Sequence, residues 1–204
     1  MKKVLLSLSA MLLAVTAMAQ QREGTCTVQP KVGMNVSTLT DADKAIVDLN
    51  FGMEVEYMLT DNFSLSAGVI VSNQGAKYNS DGLKYTADLD YTNVPIMANY
   101  YILPGLALKA GVQPSFRTKA KVETDSGSMD MDEYYTMINM LMPGEELKIS
   151  KFDFAIPVGI SYEYNNFVLD ARYNWGLVKI ENIGDAYYNR VFQLTLGYKF
   201  ALDF

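Results

Sequence analysis

The 204-residue sequence contains no histidine and only one cysteine, Cys26. Without histidine the chain cannot form a serine–histidine hydrolase site or a metal site with imidazole ligands. One cysteine cannot form an internal disulfide, and no histidine is present to activate its thiol. The preceding Glu23-Gly24-Thr25 lacks the small and apolar residues of a lipoprotein signal, so Cys26 is interpreted as an unpaired thiol in a tail. These absences predict a protein that is not an enzyme and has no cofactor and no metal site.

Beyond its first residues the chain has no apolar run of the about 20 residues that a membrane helix needs. The start itself has a basic Met1-Lys2-Lys3, an apolar segment from Val4 to Val15, and a small-residue cleavage signal at Ala17-Met18-Ala19. This arrangement predicts a signal peptide over residues 1–19, with a mature chain that begins at Gln20. The apolar segment is too short to favour a retained anchor.

An excess of basic residues is also missing, since 17 lysines and arginines face 23 carboxylates and the formal charge is −6. Removing Lys2 and Lys3 with the signal peptide lowers that charge to −8. Nucleic-acid partners require clustered Lys and Arg, so none is expected. The mature 185 residues are enough for one domain.

What the chain does contain is alternation of apolar and polar residues with a period of two, which indicates β-strands. The last segment shows it clearly, with one face interrupted only by Arg190 and otherwise carrying Tyr188, Phe192, Leu194, Leu196, Tyr198 and Phe200. An apolar face with aromatic residues at both ends is typical of a strand that contacts lipid. Eight such segments occur, at about 29–38, 49–59, 63–71, 88–102, 106–122, 152–164, 167–177 and 187–200.

The connections between these segments alternate in length. Three are tight turns rich in turn-forming residues, at 60–62, 103–105 and 165–166. Four are long and offer surfaces for protein partners, at 39–48, 74–87, 123–151 and 178–186. Short turns at one end and long loops at the other are typical of an outer-membrane barrel with periplasmic turns. An even number of strands then places both termini in the periplasm.

The third long connection is predicted to contain a helix over Met129 to Met142. Its apolar spacing is close to helical, Asp130, Asp132 and Glu133 suit its N-terminus, and Pro143-Gly144 ends it. The helix could contact a partner or the membrane surface, or it could fold over the barrel rim. The rim is favoured because exposed apolar helix faces are usually covered.

Three prolines lie inside the predicted strands, at Pro95, Pro114 and Pro157. Proline removes a donor from the strand ladder. Each is therefore expected to mark a bulge or a locally broken pair.

If the apolar face meets lipid, the opposite face points into the barrel and carries five cations and five carboxylates. These are Lys31, Lys109, Arg117, Arg172, Lys199, Glu54, Glu56, Asp153, Glu163 and Asp170. An eight-stranded barrel has room inside for side chains and little else, and an unpaired buried charge is costly. We therefore expect a balanced ion-pair network that fills the interior, with space left by glycines on the same face: Gly33, Gly52, Gly68, Gly111, Gly159, Gly176 and Gly197.

Other chemistry is weakly supported. Glu54 and Glu56 could form a general acid–base pair, but basic residues on the same face favour a structural role in the network. Asp41, Asp43 and Asp48 could attract calcium, but they lack the glycine and the distal glutamate of a calcium-binding loop.

Segments of the second half resemble the PorT-like outer-membrane β-barrel family. The resemblance is most specific over residues 152–200, and its best motif is the Ala-Arg-Tyr-Asn-x-Gly-Leu run from Ala171 to Leu177. It extends to Val94-Pro95-Ile96 in the fourth strand. The resemblance implies the fold and the outer membrane, and it implies a secretion role because some members take part in protein export. Either Phe200 or Phe204 could serve as the terminal aromatic signal for assembly.

The sequence thus predicts an all-β, eight-stranded antiparallel up-and-down transmembrane barrel with a short helix in its third long loop. Residues 20–27 form a periplasmic tail and residues 28–204 form the barrel domain. The expected protein is a monomer in the outer membrane of a Gram-negative bacterium, surrounded by lipid, with a plugged polar interior and a structural or partner-binding role. The alternatives are an accessory role in a secretion system and a barrel that binds or passes a small ligand.

Overall fold

The structure is a computed structural model that describes residues 22–40, 44–80, 83–124, 127–141, 148–180 and 187–202. The predicted signal peptide, Asp41, Asp43 and Phe204 lie outside these residues. Within the described residues there is one helix, α1 (Met131–Leu141). It lies among eleven strands: β1 (Cys26–Leu39), β2 (Lys44–Thr60), β3 (Phe63–Ser80), β4 (Leu83–Asn93), β5 (Ile96–Leu103), β6 (Leu106–Thr124), β7 (Gly127–Asp130), β8 (Phe152–Tyr164), β9 (Phe167–Gly176), β10 (Asn189–Tyr198) and β11 (Phe200–Leu202).

All strand pairs are antiparallel, and β1 pairs with β10 and β11 as well as with β2, which closes the sheet. Two of the eight barrel strands are interrupted: one consists of β4 and β5, and the other consists of β10 and β11. Among the described strands, the short β7 pairs with β6 alone. The predicted eight-stranded antiparallel barrel with a short helix in the third long loop is confirmed.

Burial alternates from residue to residue along the long strands, as expected for a barrel wall, whereas the short β7 and β11 are exposed almost throughout. In β8, Ile156, Val158 and Ile160 are exposed while Asp153, Ala155 and Ser161 are buried. The exposed side chains of neighbouring strands join into one apolar outer surface that includes Val47, Leu49, Phe51 and Trp175. Such a continuous apolar surface suits acyl chains and not water. Among the described residues, no helix has the length and apolar character needed to cross a bilayer.

Several strands extend further than predicted. The connection predicted over 74–87 is instead mostly a hairpin, since β3 and β4 stay paired as far as Ser80 and Leu83. Similarly, β2 begins at Lys44 and β1 begins at Cys26, so the cysteine lies in a strand and not in a tail. In these added lengths of strand, backbone pairing continues although the outer face becomes polar. On β4 and β6, for example, Asp88 lies opposite Lys121. The apolar alternation therefore ended before the strands did.

The prolines interrupt pairing without shifting its register. Strand regularity stops at Val94 and Pro95, yet Asn93 pairs with Ser115 and Ile96 with Val112 in one register. Pro114 and Pro157 keep the register with Phe154 and Asn174. The bulge in this region lies between Asp90 and Tyr91 instead. The prolines thus produce local breaks and not bulges.

The three short turns lie at one end of the barrel together with the described ends of β1 and β11. Backbone hydrogen bonds link these segments, for example from Lys199 to the Asn166 carbonyl at 2.8 Å and from Gly24 to the Met58 carbonyl at 2.9 Å. Asn165 and Asn166 have positive φ angles of 46° and 69°, which a two-residue hairpin turn requires. We call this end the turn end and the opposite one the loop end.

Two apolar clusters lie inside the barrel, one toward each end. At the turn end, Met58, Tyr101 and Ala107 pack together. At the loop end a larger cluster is formed by Leu39, Leu89, Tyr91, Ala120, Met131, Ile149 and Ile180. Since Met131 belongs to α1, the helix folds onto the rim, which is the arrangement that was favoured for it.

Candidate functional site

The polar interior between these apolar clusters is the candidate site. Among its members are all ten charges assigned to the inward face, and each is at most 8% exposed. They are Lys31, Lys109, Arg117, Arg172, Lys199, Glu54, Glu56, Asp153, Glu163 and Asp170. They do not form one network. The structure divides them into a central cluster, a turn-end cluster and two separate residues near the loop end.

The central cluster is built around Arg172 of β9. Its guanidinium contacts Oε1 of Glu54 at 2.6 Å and, through Nε, Oδ1 of Asp170 at 2.7 Å. Lys109 adds a 2.7 Å contact to Asp170, and Lys31 adds a 2.9 Å contact to Glu54. The two contacts to Asp170 are charge-assisted hydrogen bonds, which are the strong class, and the two contacts to Glu54 are ion pairs. Three cations surround two carboxylates, which leaves one positive charge in excess.

The turn-end cluster is built around Lys199. Its Nζ lies 2.8 Å from Oε2 of Glu56 and 2.7 Å from Oε2 of Glu163. Tyr101 completes the cluster, because its hydroxyl donates to Glu56 at 2.6 Å and accepts from Lys199 at 3.0 Å. This cluster carries one negative charge in excess and so balances the central one. Tyr101 was not predicted as a member, although it lies two residues after the inward-facing Asn99 and shares its face.

Glu54 and Glu56 therefore lie in different clusters, and cations hold each of them. Both oxygens of Glu54 contact Arg172, and Oε1 of Glu56 also accepts hydrogen bonds from Ser64 and Tyr101. A general acid or base must reach a substrate proton. Two carboxylates with occupied oxygens and almost no exposure do not provide that access.

Arg117 and Asp153 are separate from both clusters. Arg117 pairs with Asp132 of α1 through two hydrogen bonds, at 2.8 Å and 3.2 Å. Asp153 accepts 2.7 Å hydrogen bonds from the Asn189 side chain and from the Phe154 amide. The expectation of a single ten-charge network is therefore replaced by two clusters, one link to the rim helix and one hydrogen-bonded carboxylate.

The Arg117–Asp132 pair attaches α1 to the barrel. Asp132 is half-exposed while the Arg117 side chain is buried, and the hydrogen bond from the guanidinium lowers the pKa of the Asp132 carboxyl. Asp130 caps the helix by accepting from the amides of Asp132 and Glu133 at 2.9 Å and 3.3 Å. The sequence identified these acids as a helix start but gave no sign that one of them contacts Arg117.

Amide and hydroxyl side chains occupy the wall between the central cluster and the loop-end apolar cluster. Asn93 accepts from Ser115 and donates to Ser72, both at 2.8 Å, and Asn50 donates to Asn35 at 2.7 Å. In the described part of the chain, no group of three or more acidic or cysteine side chains could hold a metal ion. The interior thus consists of stacked polar and apolar layers that fill it with protein side chains.

Comparison with solved structures identifies other barrels of this shape. Ail, the attachment invasion locus protein of Yersinia pestis, is 18% identical over 87% of this chain and 99% of its own, with a TM-score of 0.54. Ail has also been solved with the heparin analogue sucrose octasulfate, with a TM-score of 0.52 and 17% identity. Neisserial surface protein A is 14% identical over 87% of this chain and 100% of its own, with a TM-score of 0.53.

No curated protein sequence matches the chain. The family described as outer membrane protein beta-barrel domain matches residues 18–182, which is most of the sequence. That match agrees with the closed antiparallel sheet, the apolar outer surface and the polar interior. The chain belongs to the family of outer membrane protein β-barrel domains.

Proposed function

We propose that this outer-membrane protein is a non-enzymatic barrel that conducts no solute and serves as a scaffold for partners at its loop end. The filled interior carries the proposal. Arg172, Glu54 and Asp170, each at most 2% exposed, occupy its centre, and apolar clusters lie toward both ends. A continuous water path would have to separate these ion pairs and open both clusters.

The proposed orientation places the turn end in the periplasm. Short turns at one end and longer connections at the other support it, as does the position of the described chain ends beside the turns. In this arrangement residues 1–19 are a cleaved signal peptide, and the residues before Cys26 lead from the periplasm into the barrel. The protein is proposed to act as a monomer, because β1 and β10 close the wall without a second chain.

A planar-bilayer recording tests the closed interior. We expect no single-channel conductance from the purified, reconstituted protein, because the ion pairs remain intact at neutral pH. The double variant Glu54→Ala/Arg172→Ala opens space at the centre and serves as the comparison for any leak. Steady unitary conductance of the unmodified protein would overturn the proposal.

The same interior bears on the ligand-binding alternative. A pocket for a small apolar molecule needs a predominantly apolar lining, whereas Lys31, Glu54, Lys109 and Asp170 face the centre of this barrel. Partners are therefore expected at the loop end and not inside. Ail has been crystallised with a sulfated heparin analogue, but the formal charge of −6 makes a polyanion a poor match here. Crosslinking in intact cells followed by capture of the barrel identifies the partner.

A second candidate role is that of an accessory component in protein secretion, as in some PorT-like barrels. The resemblance over residues 152–200 supports it, and the best motif contains Arg172. In the structure this motif forms the second half of β9, and its Arg172 belongs to the central cluster. Deletion of the gene followed by proteomics of the culture medium tests this role, and an unchanged set of exported proteins would exclude it.

A further inference from the structure

Arg190 is a charged residue on the lipid-facing side of β10. Along this strand Leu196, Leu194 and Phe192 share its face, and Arg190 follows them toward the loop end. On the neighbouring β1, the outward Val36 is followed by Thr38, which pairs with Arg190. The outer surface thus changes from apolar to polar at Arg190, which is where lipid headgroups begin.

Two aromatic rings hold the guanidinium at this position. Its central carbon lies 5.6 Å from the ring centroid of Trp175 and 5.6 Å from that of Tyr188. Tyr173 supports Trp175 in an edge-to-face contact with a centroid distance of 6.0 Å. Cation–π contacts of this kind stabilise a cation and restrict its motion. The guanidinium is therefore positioned before any ligand arrives.

The hydrogen bonds of Arg190 leave part of the guanidinium unused. One terminal nitrogen donates to the carbonyls of Gly176 at 2.7 Å and Asn189 at 3.0 Å. Arginine has five N–H donors, and Nε and the second terminal nitrogen have no acceptor among the described residues. No carboxylate of the described residues forms an ion pair with it, and Asp153, whose carboxylate interacts with it electrostatically, is hydrogen-bonded to Asn189 and the Phe154 amide instead. Two other outward cations near this end differ, since Lys119 and Lys121 lie opposite Asp90 and Asp88.

We propose that Arg190, Trp175 and Tyr188 form a binding site for the phosphate group of a lipid headgroup in the leaflet at the loop end. A planar guanidinium with free N–H groups on two neighbouring nitrogens can bind two oxygens of a phosphate through paired hydrogen bonds. The aromatic rings hold it at the depth where headgroup phosphates lie, and the acyl chains of the same lipid pack on Phe192 and Leu194. The assignment of the site to the outer leaflet rests on the proposed orientation of the barrel. The ability of the site to bind a phosphate group does not depend on that orientation.

Native mass spectrometry of the purified protein in detergent tests this site. Diphosphoryl lipid A, the same lipid without its phosphates, and inorganic phosphate are titrated separately. We expect the unmodified protein to prefer the phosphorylated lipid by about tenfold, the scale of one charge-assisted contact. Arg190→Gln should remove the preference, Arg190→Lys should keep part of it because lysine lacks the planar fork, and Lys119→Gln should leave it unchanged.

The variants are compared only as folded barrels, identified by heat-modifiable migration on a gel. Equal binding of the phosphorylated lipid by the Arg190→Gln variant and the unmodified protein would overturn the proposal, as would equal binding of the two lipids by the unmodified protein. Displacement of the lipid by millimolar inorganic phosphate would show that the site takes free phosphate and would overturn the lipid assignment. None of these results depends on conductance, so failure here is distinct from failure of the closed-barrel proposal.

Discussion

Arg172 is the residue on which the interior depends most, because it contacts both carboxylates of the central cluster. The variant Arg172→Met keeps much of the side-chain length but leaves Glu54 and Asp170 with Lys31 and Lys109 alone. Breaking a buried charge pair by removing one partner costs about 3–5 kcal/mol. The unfolding temperature, read from loss of the folded gel band, should therefore fall markedly. Lys179→Met, at an exposed site, is the control, and equal unfolding temperatures for the two variants would contradict the prediction.

Two glycines at the β1–β10 seam test how closely the strands approach. A Cβ on Gly33 would clash with the Leu194 carbonyl oxygen, so the backbone would have to move. A Cβ on Gly197 would meet the end of the Gln29 side chain, which can rotate away. Gly33→Ala should thus lower the unfolding temperature clearly more than Gly197→Ala does. The idea that close backbone contact matters at Gly33 fails if both substitutions have the same effect.

At this scale the sequence predicts faces well and partners poorly. Alternation alone assigns Glu54 and Arg172 to the inward face. Which carboxylate meets which cation depends on the tilt and stagger of the strands, and these two residues are 118 positions apart. The pairing of Arg117 with Asp132 was even harder to predict from the sequence, because it joins a strand to a loop helix.

At the scale of elements, the eight segments were predictable because lipid on one side and polar layers on the other keep the period of two strict. The prediction failed beyond the lipid. Toward the loop end, β3 and β4 have Lys77, Asp88 and Asp90 on their outer face, where contact with lipid no longer requires apolar residues. Backbone hydrogen bonds continue the hairpin there without a hydrophobic signal. Strand ends in such barrels are therefore underestimated by hydrophobicity alone.

The attachment of α1 to the rim should depend on pH through Asp132. Its pKa is lowered by Arg117, so the pair contributes stability above the ordinary carboxyl pKa of about 4 and loses it as pH falls through the lowered value. A spin label at Met137→Cys in a Cys26→Ser background should become more mobile at low pH. Asp132→Asn should show that mobility already at neutral pH, while Glu133→Gln, on the same exposed first turn, should not. Unchanged mobility in Asp132→Asn would exclude the pair as the attachment.

For the whole molecule, closure and filling depend on each other. The wall closes only if β10 pairs with β1. The central cluster forms only in the closed barrel, because its residues come from β1, β2, β6 and β9. The two clusters carry opposite excess charges, so the eight residues are neutral together. Neutrality of the interior was predictable from counting charges. Its division into layers was not, because layers arise from the relative stagger of strands.

The orientation of the whole barrel gives the last prediction. If the turn end is periplasmic, a cysteine at Asn62 lies on the periplasmic side of the outer membrane, and a cysteine at Met137 of α1 lies on the cell surface. In a Cys26→Ser background, a membrane-impermeant maleimide should label Met137→Cys in intact cells. It should label Asn62→Cys only after the outer membrane is permeabilised. Both side chains are exposed in the structure, so burial does not explain a difference between them. The reverse pattern would place the turns at the cell surface, which would move the proposed partner surface and the Arg190 site to the periplasmic side.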